Sequence, residues 1–528
     1  MATKANLSQP ATQRIADAFR DLQSLLDRRA TTAEVVREHH SHGESYHPAA
    51  MPDAVCFPHS TEEVSEILKI SAKYQVPVIP FGAGTSMEAQ VNAIHGGIAI
   101  DMREMNKILR VSPEDLQATV EAGVTRLQLN KALANTGFTF FIDPGADATF
   151  GGMTSTRASG TTAVRYGTMR ENVMGLTIVL ADGRVIKTGT AARKSAAGYD
   201  LTRLFVGAEG TLGVITEIIL RIHPLPEAVG AACCTFVTIR DAVETAIAII
   251  QLGIPVARIE LMDEAQIDAC NKFSKTNYPV APLLFFEFHG DSERYVNEQA
   301  ETVRQLAADH HGTGFQLFTT PEERATLWEM RHQAYFANLQ IRKGAKMFTT
   351  DICVPISRLA DCIVAAKKDT AAASFPAPIV GHVGDGNFHM SFMLDPENPA
   401  ELAEAKVLEE KIILRALEMG GTCTGEHGIG IGHRLRVCPS CHSCHINRIG
   451  NRSSGSAGEQ IGERHGGSMV PCPGDCLSHG RPPSPVSRYP PRVYDRPKFH
   501  DHEGSWSPGR HLSYVIMPVS FYPDAVRG

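Results

Sequence analysis

Apolar residues recur with helical spacing near the start of the chain. From Ile15 onward they are three and four positions apart, so residues 11–40 are predicted to be helical. Ser60 begins a second predicted helix that runs to about Tyr74, and its first turn has the hydroxyl and carboxylate residues that cap free N–H groups. Because the helical spacing covers residues 11–40, residues 1–46 are expected to form a helical segment ahead of the main fold.

Short apolar runs follow these helices and predict strands. The run at residues 76–81 contains two prolines, which cannot donate to a ladder, so this segment is expected at a sheet edge or a strand end. Strand and helix patterns then alternate to about Pro226, and a new set begins after it. The chain is therefore predicted to be α+β, with one domain over residues 47–226 and a second over residues 227–432.

Composition limits the function classes. The 528 residues are 43% hydrophobic and 21% charged, as expected of a soluble globular protein, and a net charge of -7 gives no reason to expect a nucleic-acid partner. No apolar run approaches the roughly 18 residues of a transmembrane helix. The first thirty residues lack the apolar core of a secretory signal. We therefore expect a cytoplasmic protein, with peripheral attachment to the inner membrane as the alternative.

Three glycine-rich loops are spread over the first domain, at residues 82–86, 143–160 and 207–216. The first follows a strand, and its successive N–H groups are able to form an anion-binding concavity that two hydroxyls supplement. It matches neither G-x-G-x-x-G nor a P-loop, and alone a plain tight turn explains it equally well. Three such loops together favour an extended ligand that carries a pyrophosphate.

Two further glycine-rich segments, residues 381–389 and 425–430, contain the candidate chemistry. His382, His389 and Glu426 offer two nitrogen ligands and one oxygen ligand to a divalent metal, with a position left open for substrate. Zinc is the expected ion, and manganese and iron are alternatives. His427 would be a base beside that metal. The competing interpretations are loop histidines that only solvate a surface, or the metal site of a hydrolase.

Together with residues 193–201, these segments resemble the FAD-linked oxidases of the vanillyl-alcohol-oxidase or p-cresol-methylhydroxylase (PCMH) type. The resemblance covers residues 45–432 and is closest to bacterial cytochrome-type D-lactate dehydrogenases and the FAD-linked subunit of glycolate oxidase. It implies a PCMH-type FAD-binding domain and an α+β substrate (cap) domain with an antiparallel sheet. The loops hold no histidine or cysteine suited to covalent attachment, so FAD is expected to be bound non-covalently.

In that family the first loop holds the FAD pyrophosphate, the second lies along flavin and ribityl, and a later strand contacts the adenine end through its backbone. The matching residues here are Pro80, Gly82, Ala83, Gly84, Thr85 and Ser86 for the first loop, Pro144, Gly145, Ala148, Thr149, Gly152, Ser155, Thr156 and Ser159 for the second, and Val214 and Ile215 for the strand.

The resemblance also implies oxidation of a D-2-hydroxy acid, most simply D-lactate to pyruvate. Arg331 matches the position that binds the substrate carboxylate, and His332 is a weaker candidate for the same pocket. His427 would take the hydroxyl proton while hydride leaves for the flavin. The electrons would pass to cytochrome c, a quinone or an electron-transfer flavoprotein, and a homodimer is an expected assembly.

Four residues refine this expectation. Asp385 and Asn387 are expected to orient the ligand histidines. Ser391 stands where hydroxyglutarate-oxidising relatives have an asparagine ligand, and Thr349 where they have a lysine for a second carboxylate. Both departures favour a monocarboxylate such as D-lactate over D-2-hydroxyglutarate, with glycolate a further alternative.

Residues 433–528 differ in composition from the rest. They contain 12 Pro, 13 Ser and 11 Gly but only three Leu, and 11 Arg against one Lys. The family's closing helix and Asn-Pro-Gly-Lys motif are missing, so we expect a disordered tail translated out of frame. Two overlapping C-x-x-C-H patterns starting at Cys438 and Cys441 leave haem or zinc as less favoured alternatives. An inactive, truncated FAD-binding protein is the alternative function.

Overall fold

A computed structural model describes residues 10–432, which form three main β-sheets and fifteen α-helices. The disordered tail, the frameshift and the C-x-x-C-H patterns predicted for residues 433–528 lie outside the described residues. Within residues 10–432, every helix is too short or too polar to cross a membrane.

The N-terminal part, to residue 224, contains eight helices and eleven strands. The helices are α1 (Ala11–Leu26), α2 (Glu34–His39), α3 (Thr61–Tyr74), α4 (Arg126–Leu133), α5 (Phe150–Thr156), α6 (Ala163–Tyr166), α7 (Met169–Asn172) and α8 (Leu201–Phe205). The strands are β1 (Ala30–Thr31), β2 (Ala54–Cys56), β3 (Val78–Phe81), β4 (Ile98–Asp101), β5 (Ile108–Ser112), β6 (Gln117–Glu121), β7 (Phe138–Thr139), β8 (Val173–Val179), β9 (Val185–Gly189), β10 (Val214–Arg221) and β11 (His223–Pro224).

These strands form two sheets and a short β11–β7 pair. The first sheet has the order β1-β2-β4-β3, and β2, β4 and β3 are parallel. The second is antiparallel, in the order β5-β6-β10-β8-β9. The proline-containing strand β3 lies at an edge, as predicted, because Pro80 has no N–H to donate. Helix α3 is also confirmed, and the Ser60 side chain caps it by accepting the N–H of Glu63.

The prediction of one helical stretch over residues 11–40 is wrong. Helix α1 ends at Leu26 because Asp27 has a left-handed backbone, with φ 52°, that cannot continue a right-handed helix. The chain then forms a 3₁₀ turn, strand β1 and the short helix α2. Ala30 pairs with Cys56, so this segment joins the first sheet rather than preceding the fold as helix alone.

The C-terminal part of the described chain contains seven helices and eight strands. The helices are α9 (Ile239–Gln251), α10 (Glu264–Ser274), α11 (Glu293–Asp309), α12 (Pro321–His332), α13 (Ala334–Ile341), α14 (Leu359–Thr370) and α15 (Pro399–Glu418). The strands are β12 (Ala228–Thr235), β13 (Val256–Met262), β14 (Leu283–Gly290), β15 (Thr313–Phe318), β16 (Lys346–Thr349), β17 (Ile352–Cys353), β18 (Ile379–Gly381) and β19 (Asn387–Leu394).

The third sheet is antiparallel, as predicted, in the order β15-β12-β14-β13-β18-β19-β16, with β17 also paired to β19. Its inner face contributes fully buried aromatic side chains, among them Phe286, Phe348 and Phe392. Each such side chain stabilises the fold by roughly 1.5–3 kcal/mol through burial. The architecture is therefore the predicted two-domain α+β fold. The predicted domain limits, with a boundary between residues 226 and 227, stay a prediction.

Candidate active site

One cavity of about 480 Å³ opens between the glycine-rich loops of the N-terminal part and the third sheet. All of the residues predicted to bind FAD line it except Val214. Arg331, His382, His389, Glu426 and His427 line the same cavity. Segments separated by more than 300 residues of sequence thus line one cavity. The candidate FAD site therefore adjoins the candidate catalytic and metal-binding residues.

The loop at residues 82–86 has the features of a site for an anionic cofactor. Ser86 Oγ is buried and has no hydrogen-bond partner among residues 10–432, so its polar atom needs a partner from elsewhere. Gly82 packs so closely that an added Cβ would overlap Thr149 Oγ1, and only glycine allows the two loops to meet there. A flavin nucleotide with its pyrophosphate on this loop therefore fits the residues present.

Val214 is the predicted FAD residue that does not line the cavity. It is 2% exposed and pairs with Val179 in the second sheet, while its neighbour Ile215 reaches the cavity wall. Alternation along a strand explains the difference, because successive side chains point to opposite faces. The backbone contact predicted for both residues stays a prediction.

Two adjacent antiparallel strands of the third sheet, β18 and β19, position the two candidate ligand histidines. His382 directly follows β18 and His389 lies in β19, and the register pairs Val380 with His389. Glu426 comes from the loop after α15. Its Oε1 lies 3.1 Å from His382 Nε2 and 3.2 Å from His389 Nε2, and both histidines are buried. The three side chains therefore converge within a distance that a single metal ion would bridge.

Glu260 and the backbone of Thr350 hold the two imidazoles. His382 Nδ1 lies 2.7 Å from Glu260 Oε1, and His389 Nδ1 lies 3.2 Å from the Thr350 carbonyl oxygen. Both acceptors fix a proton on Nδ1 and leave Nε2 for the cluster. Asp385 and Asn387 were expected in this role, and the structure gives their places to other groups. Asn387 instead donates to Asp351 and to the Ile352 carbonyl, because β17 lies beside it.

Asp351 anchors the loop that contains Glu426 and His427. Its Oδ2 accepts the Thr424 hydroxyl at 2.6 Å and the N–H groups of residues 425, 426 and 427, each at 2.8 Å. Burial opposes ionisation of this carboxyl, but the nearby His427 and His389 outweigh it and lower its pKa. Asp351, His389 and His427 form a second acid–histidine group. Because Asp351 already accepts this many hydrogen bonds, it is a loop anchor rather than a metal ligand.

The ionisation of the first cluster follows from mutual pairing. Burial alone would lower the pKa of His382, but Glu260 and Glu426 outweigh it and raise that pKa well above its usual range. Burial would likewise raise the pKa of Glu426, and His382 and His389 bring it well below its usual range. The carboxylates of Glu260 and Glu426 thus favour a positive charge at His382, and a metal ion held by its Nε2 would supply that charge in place of a proton.

His427 lies beside the cluster. Its ring stacks on His389, with centroids 4.8 Å apart and planes 14° apart, and its Nε2 lies 3.9 Å from Glu426 Oε1. Its Nδ1 is buried and has no hydrogen-bond partner among the described residues. An imidazole with an unsatisfied nitrogen at a cavity wall is suited to exchanging a proton with a bound ligand.

Arg331 approaches the same cluster from helix α12. Its Nε and Nη2 both donate to Glu260 Oε2, at 3.0 and 2.6 Å, so Glu260 links Arg331 to His382. Nη1 is the guanidinium nitrogen that Glu260 does not engage. Thr349 and Ser391 also line the cavity, where neither supplies a positive charge.

Two of these groups, Glu260 and Asp351, were not identified from the sequence. Glu260 stands among apolar residues in a buried strand, where a single acid is expensive unless it is paired, and this was the signal available. Asp351 has no such signal, because its role depends on a loop more than 70 residues further on.

Two family models match the chain. The model "FAD binding domain" matches residues 52–189, and "FAD linked oxidases, C-terminal domain" matches residues 225–437. Fold and site thus define a two-domain, FAD-dependent oxidoreductase. The chain belongs to the FAD-linked oxidase family.

Its relatives include proteins named as D-lactate dehydrogenases. It is 47% identical to a "Probable D-lactate dehydrogenase, mitochondrial" of Danio rerio, over 80% of this chain and 85% of that protein. It is 46% identical to "D-lactate dehydrogenase [cytochrome], mitochondrial" of Arabidopsis thaliana, over 78% and 73%. It is 34% identical to "Glycolate oxidase subunit GlcD" of Bacillus subtilis, over 72% and 81%. The resemblance found in the sequence is confirmed.

The fold is also that of solved flavoprotein structures. The chain superposes on p-cresol methylhydroxylase with a TM-score of 0.66 at 18% identity, covering 83% of this chain and 93% of that one. At this identity the likeness concerns the fold alone, and it confirms the predicted PCMH type.

Proposed function

We propose that this enzyme oxidises D-lactate to pyruvate with non-covalently bound FAD. The observation that supports this most is the convergence of His382, His389, Glu426 and His427 on the cavity that the FAD loops line. FAD, when bound, supplies the acceptor for the hydride that leaves C2 of the hydroxy acid.

His382 Nε2, His389 Nε2 and Glu426 Oε1 would hold one divalent metal ion, zinc in the first place and manganese or iron otherwise. Such an ion would lower the pKa of a bound hydroxyl, as metals do for water. The donor set fits, because two neutral imidazoles and one carboxylate leave further coordination positions open. The carboxylate of Glu260 keeps the His382 ring in the tautomer that this role needs.

His427 accepts the hydroxyl proton of the substrate in this proposal. It stands against His389, so a hydroxyl at the cluster would also be near the His427 ring. Arg331 would bind the substrate carboxylate through Nη1, because Glu260 Oε2 already engages Nε and Nη2. These two hydrogen bonds to Glu260 also stiffen the long side chain, which lowers the entropy lost on binding.

The charge of the preferred substrate follows from the other residues that line the cavity. Thr349 donates its hydroxyl to the Thr350 carbonyl and adds no charge to the cavity. Among the described residues that line the cavity, Arg331 is the one arginine, so the site suits a monocarboxylate, and these residues offer no second arginine and no lysine to the other carboxylate of D-2-hydroxyglutarate. We further propose cytochrome c as the electron acceptor, ahead of a quinone or an electron-transfer flavoprotein, a homodimeric assembly, and a cytoplasmic location with peripheral attachment to the inner membrane as the alternative.

The test is turnover with D-lactate, glycolate and D-2-hydroxyglutarate in turn, with cytochrome c reduction and the keto-acid product both measured. The proposal expects D-lactate to give the highest kcat/KM and pyruvate to equal half the cytochrome c reduced, since two electrons leave each substrate. A preference for either other acid would overturn the substrate assignment. FAD-containing protein that none of the three reduces would instead identify an inactive FAD-binding protein.

A further inference from the structure

The loop over residues 424–432, which contains Glu426 and His427, is held by both halves of the molecule. On its first side Asp351 accepts three successive N–H groups, as described above. On its other side the contacts come from the N-terminal part. Glu209 Oε1 accepts the Ile429 N–H and Glu209 Oε2 accepts the Gly430 N–H, each at 2.8 Å. The loop is therefore held between two carboxylates, Asp351 from the C-terminal part and Glu209 from the N-terminal part.

Two further hydrogen bonds join the same loop to the N-terminal part. Gln90 Nε2 donates to the His427 carbonyl oxygen at 2.7 Å. The Ile431 N–H donates to the Glu88 carbonyl oxygen at 2.9 Å. One of these bonds thus ends on the proposed base itself, one residue from the proposed metal ligand.

The side chains of Gln90 and Glu209 approach the loop so closely that residue 428 has to be glycine. A Cβ at Gly428 would lie 2.9 Å from both Gln90 Nε2 and Glu209 Oε1, and the backbone there has φ +87°, which other residues rarely adopt. Glycine at this position therefore lets the two side chains reach the loop backbone.

Glu209 is itself fixed to the FAD-binding loops. It lies in the turn between α8 and β10 with φ 50°, and its N–H donates to the Ser155 carbonyl oxygen at 2.8 Å. Ser155 belongs to helix α5 in the second glycine-rich loop, which lines the cavity. A rigid path of hydrogen bonds therefore runs from the proposed flavin loop through Glu209 to the loop with His427.

We propose that Glu209 is a positioning residue: its carboxylate sets the distance of His427 and Glu426 from the FAD-binding loops, and Gln90 assists it. This inference rests on the proposed function of His427. Glu209 acts through the backbone of residues 429 and 430, whose N–H groups its carboxylate accepts. Misplacing catalytic groups by about 1 Å costs on the order of 100-fold in rate.

The test compares Glu209→Ala, which removes both acceptors, with Glu209→Gln, which keeps one. The matched control is Glu63→Gln, because Glu63 also accepts a backbone N–H, that of His59, but belongs to helix α3 and contacts Arg29 instead of the loop. Amide hydrogen exchange of the peptide over residues 425–432, FAD absorbance per protein, and flavin reduction by saturating D-lactate are measured for each. If Glu209→Ala does not fold, Gln90→Leu tests the hydrogen bond from Gln90 Nε2 to the His427 carbonyl oxygen.

We expect exchange in this peptide to become at least about tenfold faster in Glu209→Ala and less so in Glu209→Gln, because the lost acceptors leave N–H groups free to open. Flavin reduction should slow by about 10- to 100-fold in the same order, with FAD content and the control unchanged. Wild-type exchange and wild-type reduction rates in Glu209→Ala would overturn the proposal, as would a slower rate that comes only from lost FAD. Failure of the proposed function is distinct, since D-lactate would then not reduce even the wild-type protein.

Discussion

Glu260 faces His382 across two paired strands, with Oε1 2.7 Å from Nδ1. The antiparallel register explains this placement. Leu261 pairs with Gly381, so Glu260, one position before Leu261, stands opposite His382, one position after Gly381. The same carboxylate binds Arg331. One buried acid thus orients a proposed metal ligand and a proposed substrate-binding cation. Burial would raise its pKa, but the charges of His382 and Arg331 outweigh it and lower it, so it is the anion that this double role needs.

Replacing Glu260 should weaken metal binding. In Glu260→Gln the amide cannot hold both partners as a carboxylate does, so we expect metal affinity to fall by about 10- to 100-fold. Metal titration of the apoprotein measures this. Glu287→Gln is the matched control, because Glu287 is also buried and paired with His289 and Arg258, but outside the cluster. Equal metal affinity in the two variants would contradict the role given to Glu260.

His389→Asn should remove the metal and leave the flavin. His389 supplies one of only three proposed protein ligands, so we expect the metal content per chain to fall from about one to nearly zero. Elemental analysis measures the metal, and visible absorbance measures FAD. The variant should also lose D-lactate oxidation. Chelation of the wild-type protein should cause the same loss, and adding zinc, manganese or iron should reverse it. Full activity in the variant after chelation would show that no metal acts at this cluster.

His427→Gln should slow the chemical step while metal and FAD stay bound. The side chain of His427 is not among the proposed metal ligands, and its backbone N–H bond to Asp351 survives the substitution. Loss of a general base typically costs 10²- to 10⁴-fold, so flavin reduction by D-lactate should slow by about that factor. Rapid-mixing absorbance measures the rate. A reduction rate within a factor of about two of wild type would assign the base to another group.

His223 should make the fold less stable in mild acid. Burial, with a smaller contribution from Arg221, lowers the pKa of His223 from 6.5 to about 4. A histidine with a depressed pKa binds its proton in the unfolded chain first, so stability is lost as the pH falls from about 6.5 to about 4.

The melting temperature measured across that window should therefore fall less in His223→Gln than in the wild-type protein. The glutamine amide can still donate to Asn172 Oδ1, the partner of His223 Nε2, so the variant isolates the titration. Parallel melting curves over this pH range for the two proteins would show that His223 does not contribute.

The sequence was informative where chemistry is local. The loop at residues 82–86 and the segment from His382 to His389 contain their polar groups and their glycines within a few positions. The sequence therefore indicated both as candidate sites, and the family resemblance supplied the FAD role of the loop. Glu260 was not identified because its partners are His382, which follows β18, and Arg331 on α12, and only the folded chain brings them to it. The end of helix α1 at Leu26 was not predicted for a different reason. Apolar spacing continues past Leu26, and nothing in that spacing encodes the left-handed backbone of Asp27.

The proposed function requires that a D-hydroxy acid reduces FAD in this cavity. The most direct test mixes the FAD-loaded protein anaerobically with D-lactate and, separately, with L-lactate, and follows the flavin absorbance. The proposed function predicts that D-lactate bleaches the flavin within one turnover and yields one pyruvate per FAD, while L-lactate leaves it oxidised, because the carboxylate and hydroxyl are fixed by Arg331 and the cluster. Flavin that D-lactate does not bleach, or that L-lactate bleaches equally well, would contradict it.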